Sequence, residues 1–267
     1  MPALNGQQRQ RYARHLRLAE IGEAGQRRLL DARVLIVGVG ALGSPAALYL
    51  AAAGLGHVAL ADDDHVRLSN LQRQVIHSAD GINRAKVEVG GETLRRLNPE
   101  LRVEAIPTRV NAANALDLLG RFDVIVDGTD SFQARYLLSD AAYLLGKPLV
   151  HGSIFRVEGQ VTVFKPGSGC YRCLYPEPPP PGAIDEAEDV GVFAPLAGII
   201  GTIEAAETIK LLVGAGDGLV NRVLLHDAMA MTFREVRYRR NPACPVCGDR
   251  PSVEALIDYD AFVGAGR

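Results

Sequence analysis

Apolar residues in this chain fall in short unbroken runs, each closed by glycine or by an acidic residue. "ARVLIVGVG", "HVALAD" and "FDVIVDGTD" are of this kind. Such a run, ended by a turn former, predicts a strand covered on both faces. "RVEAIPTRV" reads as extended, and "KPLVHGSI" and "GQVTVFKP" close the series as strands. Between them, "GSPAALYLAAAG", the stretch Asn83–Leu97 and "FQARYLLSDAAYLLG" predict helices. Strands alternating with helices predict an α/β fold: a doubly wound, Rossmann-like, mostly parallel sheet with both faces covered.

The pattern changes at both ends. From Gln7 to Leu30, apolar positions are interleaved with arginines, which predicts surface helices. After Pro166 come a cysteine pair, a Pro- and acid-rich loop, one long helix through "APLAGIIGTIEAAETIKLLVG", the strands "NRVLLHDA" and "MTFREVRYR", and a second cysteine pair. We expect one domain over 1–267, with a helical arm (1–30), a nucleotide-binding core (31–166) and a C-terminal elaboration (167–267) stapled by metal.

Formal net charge is −2, so bulk electrostatics give no general attraction to nucleic acid. The long apolar helix is interrupted by Glu204, Glu207 and Lys210, which argues for a buried helix rather than a membrane span. "MPALNGQQRQRYARHLRL" has no apolar core of a signal peptide. A cytoplasmic location is expected, where disulfides do not persist.

"GVGALG" places Gly38, Gly40 and Gly43 in a G-x-G-x-x-G turn between a strand and a helix, which suits a phosphate at helix N-terminal amides. Asp62 closes the next strand, where an acid meets a ribose hydroxyl. Asp63 and Asp64 read as solvated or capping. A nicotinamide enzyme needs no cationic cluster beyond that acid, yet "LSNLQRQVIHSADGINRAK" supplies Asn70, Arg73, Gln74 and Lys86. Arg forks and a Lys point charge suit a triphosphate. In "DGTDSF", Asp127 and Asp130 fall at the carboxyl end of a parallel strand, where ligands bind in open α/β sheets. Asp130 suits Mg²⁺ among phosphates, with capping of the next helix as the alternative.

The chain's four cysteines form two C-x-x-C pairs, Cys170 with Cys173 and Cys244 with Cys247. Two pairs suit a tetrahedral Cys₄ zinc site. A thioredoxin-type redox centre is the rival, but it places its pair at a helix start, and neither pair here precedes a helical pattern. His57, His65, His77 and His151 show no ligand spacing and read as surface or satisfied polar residues. "RYRR" at 237–240 reads as a solvated strand face or a partner contact.

Taken together, "RYAR", "GVGALG", "LSNLQRQ", Lys86, "DGTD", "CYRC" and "CPVC" resemble the ubiquitin-activating-enzyme-like adenylyltransferases of the MoeB/ThiF/HesA type over nearly the whole chain. The resemblance implies that ATP adenylates the C-terminal glycine carboxylate of a small ubiquitin-like sulfur-carrier protein ending in Gly-Gly. It implies that Gly38, Gly40, Gly43 and Asp62 hold the nucleoside, that Asn70, Arg73, Gln74 and Lys86 contact its phosphates, and that Asp130 binds Mg²⁺. Arg14 would reach the partner subunit's site in a homodimer, making Arg14, Arg73, Lys86 and Asp130 the catalytic set.

Ser131, His15 and Asn83 depart from the family's usual residues, and Asn83 replaces a glycine in a position that asparagine tolerates. Ala187 stands where many relatives carry a loop cysteine, so no covalent adduct with the carrier is expected. No rhodanese-like segment is recognised, so a separate persulfide donor is expected. A tRNA-modifying dehydratase and a non-catalytic nucleotide-binding scaffold are the alternatives. The missing basic surplus and the full set of phosphate-contacting residues weigh against them.

Overall fold

A computed structural model describes residues 3–180 and 190–264. Five strands run parallel: β1 (Arg33–Val37), β2 (His57–Ala61), β3 (Arg102–Ile106), β4 (Val124–Asp127) and β5 (Leu149–Phe155). Three more, β6 (Glu158–Phe164), β7 (Arg222–Asp227) and β8 (Thr232–Arg237), continue the sheet antiparallel. The order is β3-β2-β1-β4-β5-β6-β7-β8. It reverses direction between β1 and β4, where Val37 lies in register with Asp127. A doubly wound sheet opens its ligand crevice at that switch point, at the carboxyl ends of the strands.

The unbroken apolar runs are explained by cover on both sides. Val34, Ile36, Val126 and Val150 face one way, under helices α4 (Gly43–Ala53), α5 (Lys86–Leu97) and α9 (Ala194–Val213). Leu35, Val37, Ile125 and Leu149 face the other, under α6 (Ala115–Gly120), α7 (Phe132–Leu144) and the C-terminal α10 (Tyr259–Gly264). Full burial of each such aliphatic side chain contributes about 1.5–3 kcal/mol, so pointing both parities inward favours this layered arrangement over a half-wet sheet.

The N-terminal arm forms α1 (Gly6–Arg11), α2 (Ala13–Leu16) and α3 (Gly22–Asp31). It docks through Tyr12, which is buried against Gly54 just past the end of α4. Gly54 has φ +89°, and a Cβ there would lie 2.4 Å from the Tyr12 ring, so only glycine closes α4 in this place. The predicted helix from Asn83 begins instead at Lys86. Asn83 takes φ +69°, the left-handed turn for which asparagine is tolerated.

Both acids of the long helix are buried. Glu207 accepts the Leu219 amide at 2.8 Å and pairs with Lys210, whereas Glu204 has no hydrogen-bond partner among the described residues. The tail returns to the body through Asp140, which takes a fork from Arg172 and the Tyr259 hydroxyl at 2.8 Å. Among the described residues no helix is long and apolar enough to cross a membrane.

Candidate nucleotide and metal sites

The glycine turn sits at the switch point and is held by neighbours the motif does not name. Gly38 has φ +87°, and a Cβ on it would lie 2.7 Å from the Gly128 carbonyl oxygen, so the turn after β1 packs directly on the turn after β4. A Cβ on Gly43 would lie 2.0 Å from the Gly38 oxygen, whereas one on Gly40 would meet only the Gln74 amide at 3.6 Å. The first and third glycines close the turn; the second keeps its surface open to a ligand. His77, buried behind the turn, donates from Nε2 to the Val39 carbonyl at 2.9 Å. Burial, with help from nearby Lys86, lowers the His77 pKa, which favours a neutral imidazole that fixes the turn without adding charge.

Asp62 lies where the sequence places it, at the end of β2. One carboxylate oxygen accepts the Val39 amide at 2.7 Å and the other the Asp64 amide at 2.9 Å. It therefore organises the turn and keeps lone pairs for a hydroxyl. Asn70 is buried and caps its own loop, accepting the Arg67 amide at 3.0 Å. Gln74 is buried with its side-chain oxygen unpartnered among the described residues, while its side-chain nitrogen faces Gly40. Arg73 is half-buried and donates to the Ser69 carbonyl.

Lys86 is the first residue of α5 and is buried. A helix N-terminus repels cations, so an ammonium in this position needs a counter-ion or an anionic ligand. Asp64 supplies the first, at 2.7 Å. The reading of Asp64 as merely solvated or capping is thus corrected: it is the counter-ion of the buried Lys86. Burial works to raise the Asp64 carboxyl, but the hydrogen bond from Lys86 and the His65 amide outweigh it and hold the group below its ordinary range.

At the carboxyl end of β4 the two acids of "DGTD" differ sharply. Asp127 is fully buried; Asp130 is exposed and has no hydrogen bond or ion pair among the described residues. Capping of α7 belongs to Ser131, whose hydroxyl accepts the Ala134 amide at 3.3 Å, so the alternative of Asp130 as the cap is set aside. A free carboxylate beside the glycine turn fits Mg²⁺, which is commonly held by one or two carboxylates plus substrate phosphates.

Arg14 is exposed on α2, and no hydrogen bond or ion pair links it to the other site residues among those described. Its arm is anchored at Gly54, the far end of α4 from the glycine turn. Eleven residues of helix separate those points by about 16 Å.

All four cysteines are free, and their sulfurs lie within 4.8 Å of one another. Cys170 and Cys244 are 3.5 Å apart at sulfur, and Cys173 and Cys247 are 3.2 Å apart. Four thiolates around zinc at about 2.3 Å would be spaced by roughly 3.8 Å, so the cluster fits that ion. The first pair does open a helix, contrary to the sequence reading: the single turn α8 (Tyr171–Leu174) starts at Cys170. Convergence of both pairs, not helix position, decides against a redox centre. Arg240 of "RYRR" turns out to brace the second pair, donating to the Cys247 carbonyl at 2.7 Å. Ala187 lies outside the described residues.

His77 is the satisfied polar residue the sequence suggests, but sequence reasoning missed the role of Asp64 and the pairing of Asp127 with His151, whose Nδ1 lies 2.8 Å from the carboxylate. Only strand register, which aligns Asp127 with His151, could have revealed that pair. A cleft of about 800 Å³ bordered by Arg222, Arg237 and Arg239 lies at the opposite, amino edge of the sheet and carries none of these features.

Residues 12–246 match the ThiF family. The chain is 46% identical over 260 residues to the sulfur carrier protein adenylyltransferase of Thermus thermophilus, covering 95% of this chain and 96% of that protein. It is 46% identical over 258 residues to the SAMP-activating enzyme E1 of Haloferax volcanii, covering 97% and 95%. With the adenylyltransferase and sulfurtransferase MOCS3 of Culex quinquefasciatus it shares 44% identity, spanning 97% of this chain but 60% of that one. Among solved structures, E. coli MccB with ATP superposes with a TM-score of 0.78 at 25% identity, over 92% of this chain and 75% of the other.

Proposed function

The chain belongs to the ThiF family, and from that premise we propose that it is an ATP-dependent adenylyltransferase activating the C-terminal carboxylate of a small ubiquitin-like sulfur-carrier protein. Two relatives that match it almost end to end bear that activity or its counterpart in their names. The observation that carries the reading is Lys86: a buried ammonium at a helix N-terminus, beside the glycine turn, with Asp64 as its counter-ion. A dinucleotide site has no use for it, whereas a triphosphate has.

The chemistry needs little proton movement. The carrier carboxylate is already anionic at pH 7. One of its oxygens attacks the α-phosphorus, the bond from that phosphorus to the bridging oxygen breaks, and pyrophosphate leaves. The residues therefore bind, align and neutralise. Gly38, Gly40 and Gly43 admit the phosphates, Asp62 takes the ribose, and Asn70 and Gln74 frame the loop that carries Arg73. Lys86 offsets charge on the departing pyrophosphate, and Asp130 holds the metal. Bound Mg²⁺ supplies further neutralisation of phosphate charge.

Arg14 completes the site of a second subunit. Its anchorage at the far end of α4 supports delivery in trans rather than in cis. Edge strand β8 is exposed along its length, with Phe233 and Val236 uncovered, which supports it as a landing place for the carrier. Zinc on the four cysteines is structural, tying the tail to the body.

ATP–pyrophosphate exchange tests the proposal, run with purified carriers ending in Gly-Gly and with the same carriers lacking the last glycine. Exchange should require the intact terminus. Exchange that ignores the carrier, or that tolerates the truncation, refutes it.

A further inference from the structure

The Asp130 side chain makes no hydrogen bond or ion pair among the described residues, so its position is set by the backbone of residues 127–129. Two sides clamp that backbone. On one, Gly128 packs against the glycine turn: a Cβ there would lie 2.5 Å from the Gly38 oxygen and 3.0 Å from the Gly43 nitrogen. On the other, the Asp127 side chain folds back over the loop that follows it. One of its oxygens accepts both the Thr129 amide, at 3.0 Å, and the Thr129 hydroxyl, at 2.6 Å. Those two bonds fix the turn from which Asp130 projects.

Asp127 performs this role only while it is ionised and held still. A fully buried carboxylate is costly unless charged or strongly polar donors surround it. Its second oxygen is met by His151 at 2.8 Å. An ionised carboxylate only accepts, so His151 donates from Nδ1. The imidazole is confined by the edge of Tyr171, with ring centres 5.2 Å apart at 78°, and by Phe164 at 5.9 Å. Its Nε2 is buried without a partner among the described residues, so the Nδ1 bond to Asp127 is the ring's one hydrogen bond among them. Tyr171 lies between Cys170 and Cys173, so the cysteine knuckle forms the wall behind the imidazole.

We infer that His151 is a positioning residue for the metal site: through Asp127 and Thr129 it sets the loop that presents Asp130 to Mg²⁺. The inference rests on the reading of Asp130 as the metal's carboxylate. It differs from a purely structural role for the buried pair, which would lower stability and leave metal affinity in the folded protein untouched.

The test uses the full-length protein with Mn²⁺ as the probe, its binding followed by electron paramagnetic resonance in the presence of a non-hydrolysable ATP analogue. Affinity for the analogue without metal is measured alongside. Removing a partner that orients a metal ligand typically costs 10–100-fold in metal affinity. Because His151 acts through two intermediaries, His151→Leu should weaken Mn²⁺ binding by about tenfold, at the low end of that range. Metal-free analogue binding should stay within about twofold. His151→Asn should restore most of the loss, because its Nδ2 occupies the same place along the side chain as the histidine Nδ1 and donates in the same way.

Wild-type Mn²⁺ affinity in His151→Leu, with only a lower melting temperature, overturns the inference. So does failure of His151→Asn to recover affinity. If His151→Leu does not fold, Thr129→Val removes the hydroxyl bond alone and should still weaken Mn²⁺ severalfold; an unchanged affinity there is equally fatal. Asp130→Ala separates the two levels. If that variant keeps wild-type Mn²⁺ affinity, the assignment of Asp130 itself fails. If it loses the metal while His151→Leu does not, only the positioning role fails.

Discussion

Glu204→Gln should make the protein more stable, and increasingly so as pH rises. Glu204 is fully buried on α9, with its carboxyl against the Gly152 main chain, where a Cβ would lie 2.7 Å from its Cδ. Burial, and then the charge of Asp127, push its pKa well above the ordinary 4.5; the Gly152 amide and Arg135 oppose this without reaching hydrogen-bond geometry. The folded protein therefore keeps a proton that the unfolded chain releases near pH 4.5. Where the native state binds the extra proton, stability falls with rising pH, by about 1.4 kcal/mol per unit for one group. The loss begins near pH 4.5 and levels off once the folded carboxyl itself ionises. Glutamine has the same shape and does not titrate, so the difference between the two proteins isolates this one group. Over two pH units inside the window the variant should gain about 2.7 kcal/mol, or roughly 5–10 °C in melting temperature for a chain of this size. Paired thermal melts at pH 5, 6, 7 and 8 give the answer. A difference that stays flat across that series, or shrinks with pH, refutes the assignment of a neutral buried carboxyl.

Asp64→Asn leaves Lys86 as an unpaired buried ammonium. We expect a loss of about 1–2 kcal/mol in the nucleotide-free protein, the lower part of the range for orphaning a buried charge because Asp64 is partly solvated. Saturating ATP should recover it, giving a larger thermal shift than in wild type; an equal shift would mean that the triphosphate does not replace Asp64. Freshly purified, reduced protein should contain one zinc per chain, and Cys247→Ser should lower the melting temperature while leaving nucleotide affinity near wild type. Elemental analysis without metal would contradict this. Arg14→Ala and Asp130→Ala should each be inactive alone, yet random mixing should rebuild about a quarter of wild-type sites if the arginine acts in trans. Absence of any rescue would place Arg14 in cis.

Features encoded within a few residues of one another were legible in the sequence. The strand runs, the glycine turn and the two cysteine pairs each carry their own local signal, and each lies where it was expected. The end of α5 was legible while its start was not, because Asn83 takes a left-handed turn that helical spacing does not register. Contacts that depend on strand order were hidden. Nothing near His151 in the sequence points to Asp127, which becomes its neighbour only when β4 and β5 pair in register. Asp64 was misread for a related reason: its partner Lys86 reaches it only after the chain between them doubles back, bringing the Lys86 amide onto the Asp64 carbonyl at 3.0 Å.

Lys86 and Glu204 break the same rule, an ionisable group buried inside an element that does not obviously need it, yet they mean different things. Local inconsistency of this kind marks functional sites only on average. Lys86 has a counter-ion at 2.7 Å, lies at a helix N-terminus and borders the open surface of the glycine turn. An arriving phosphate can take over that pairing without desolvating a new charge. Glu204 faces main chain, has no counter-ion among the described residues and settles its burial by staying protonated. A group held charged and paired at an open edge has an interaction to offer a ligand. A group held neutral against the sheet has none, and its cost appears instead in the pH dependence of stability. Charge state and access, rather than burial alone, separate the site residue from the structural one.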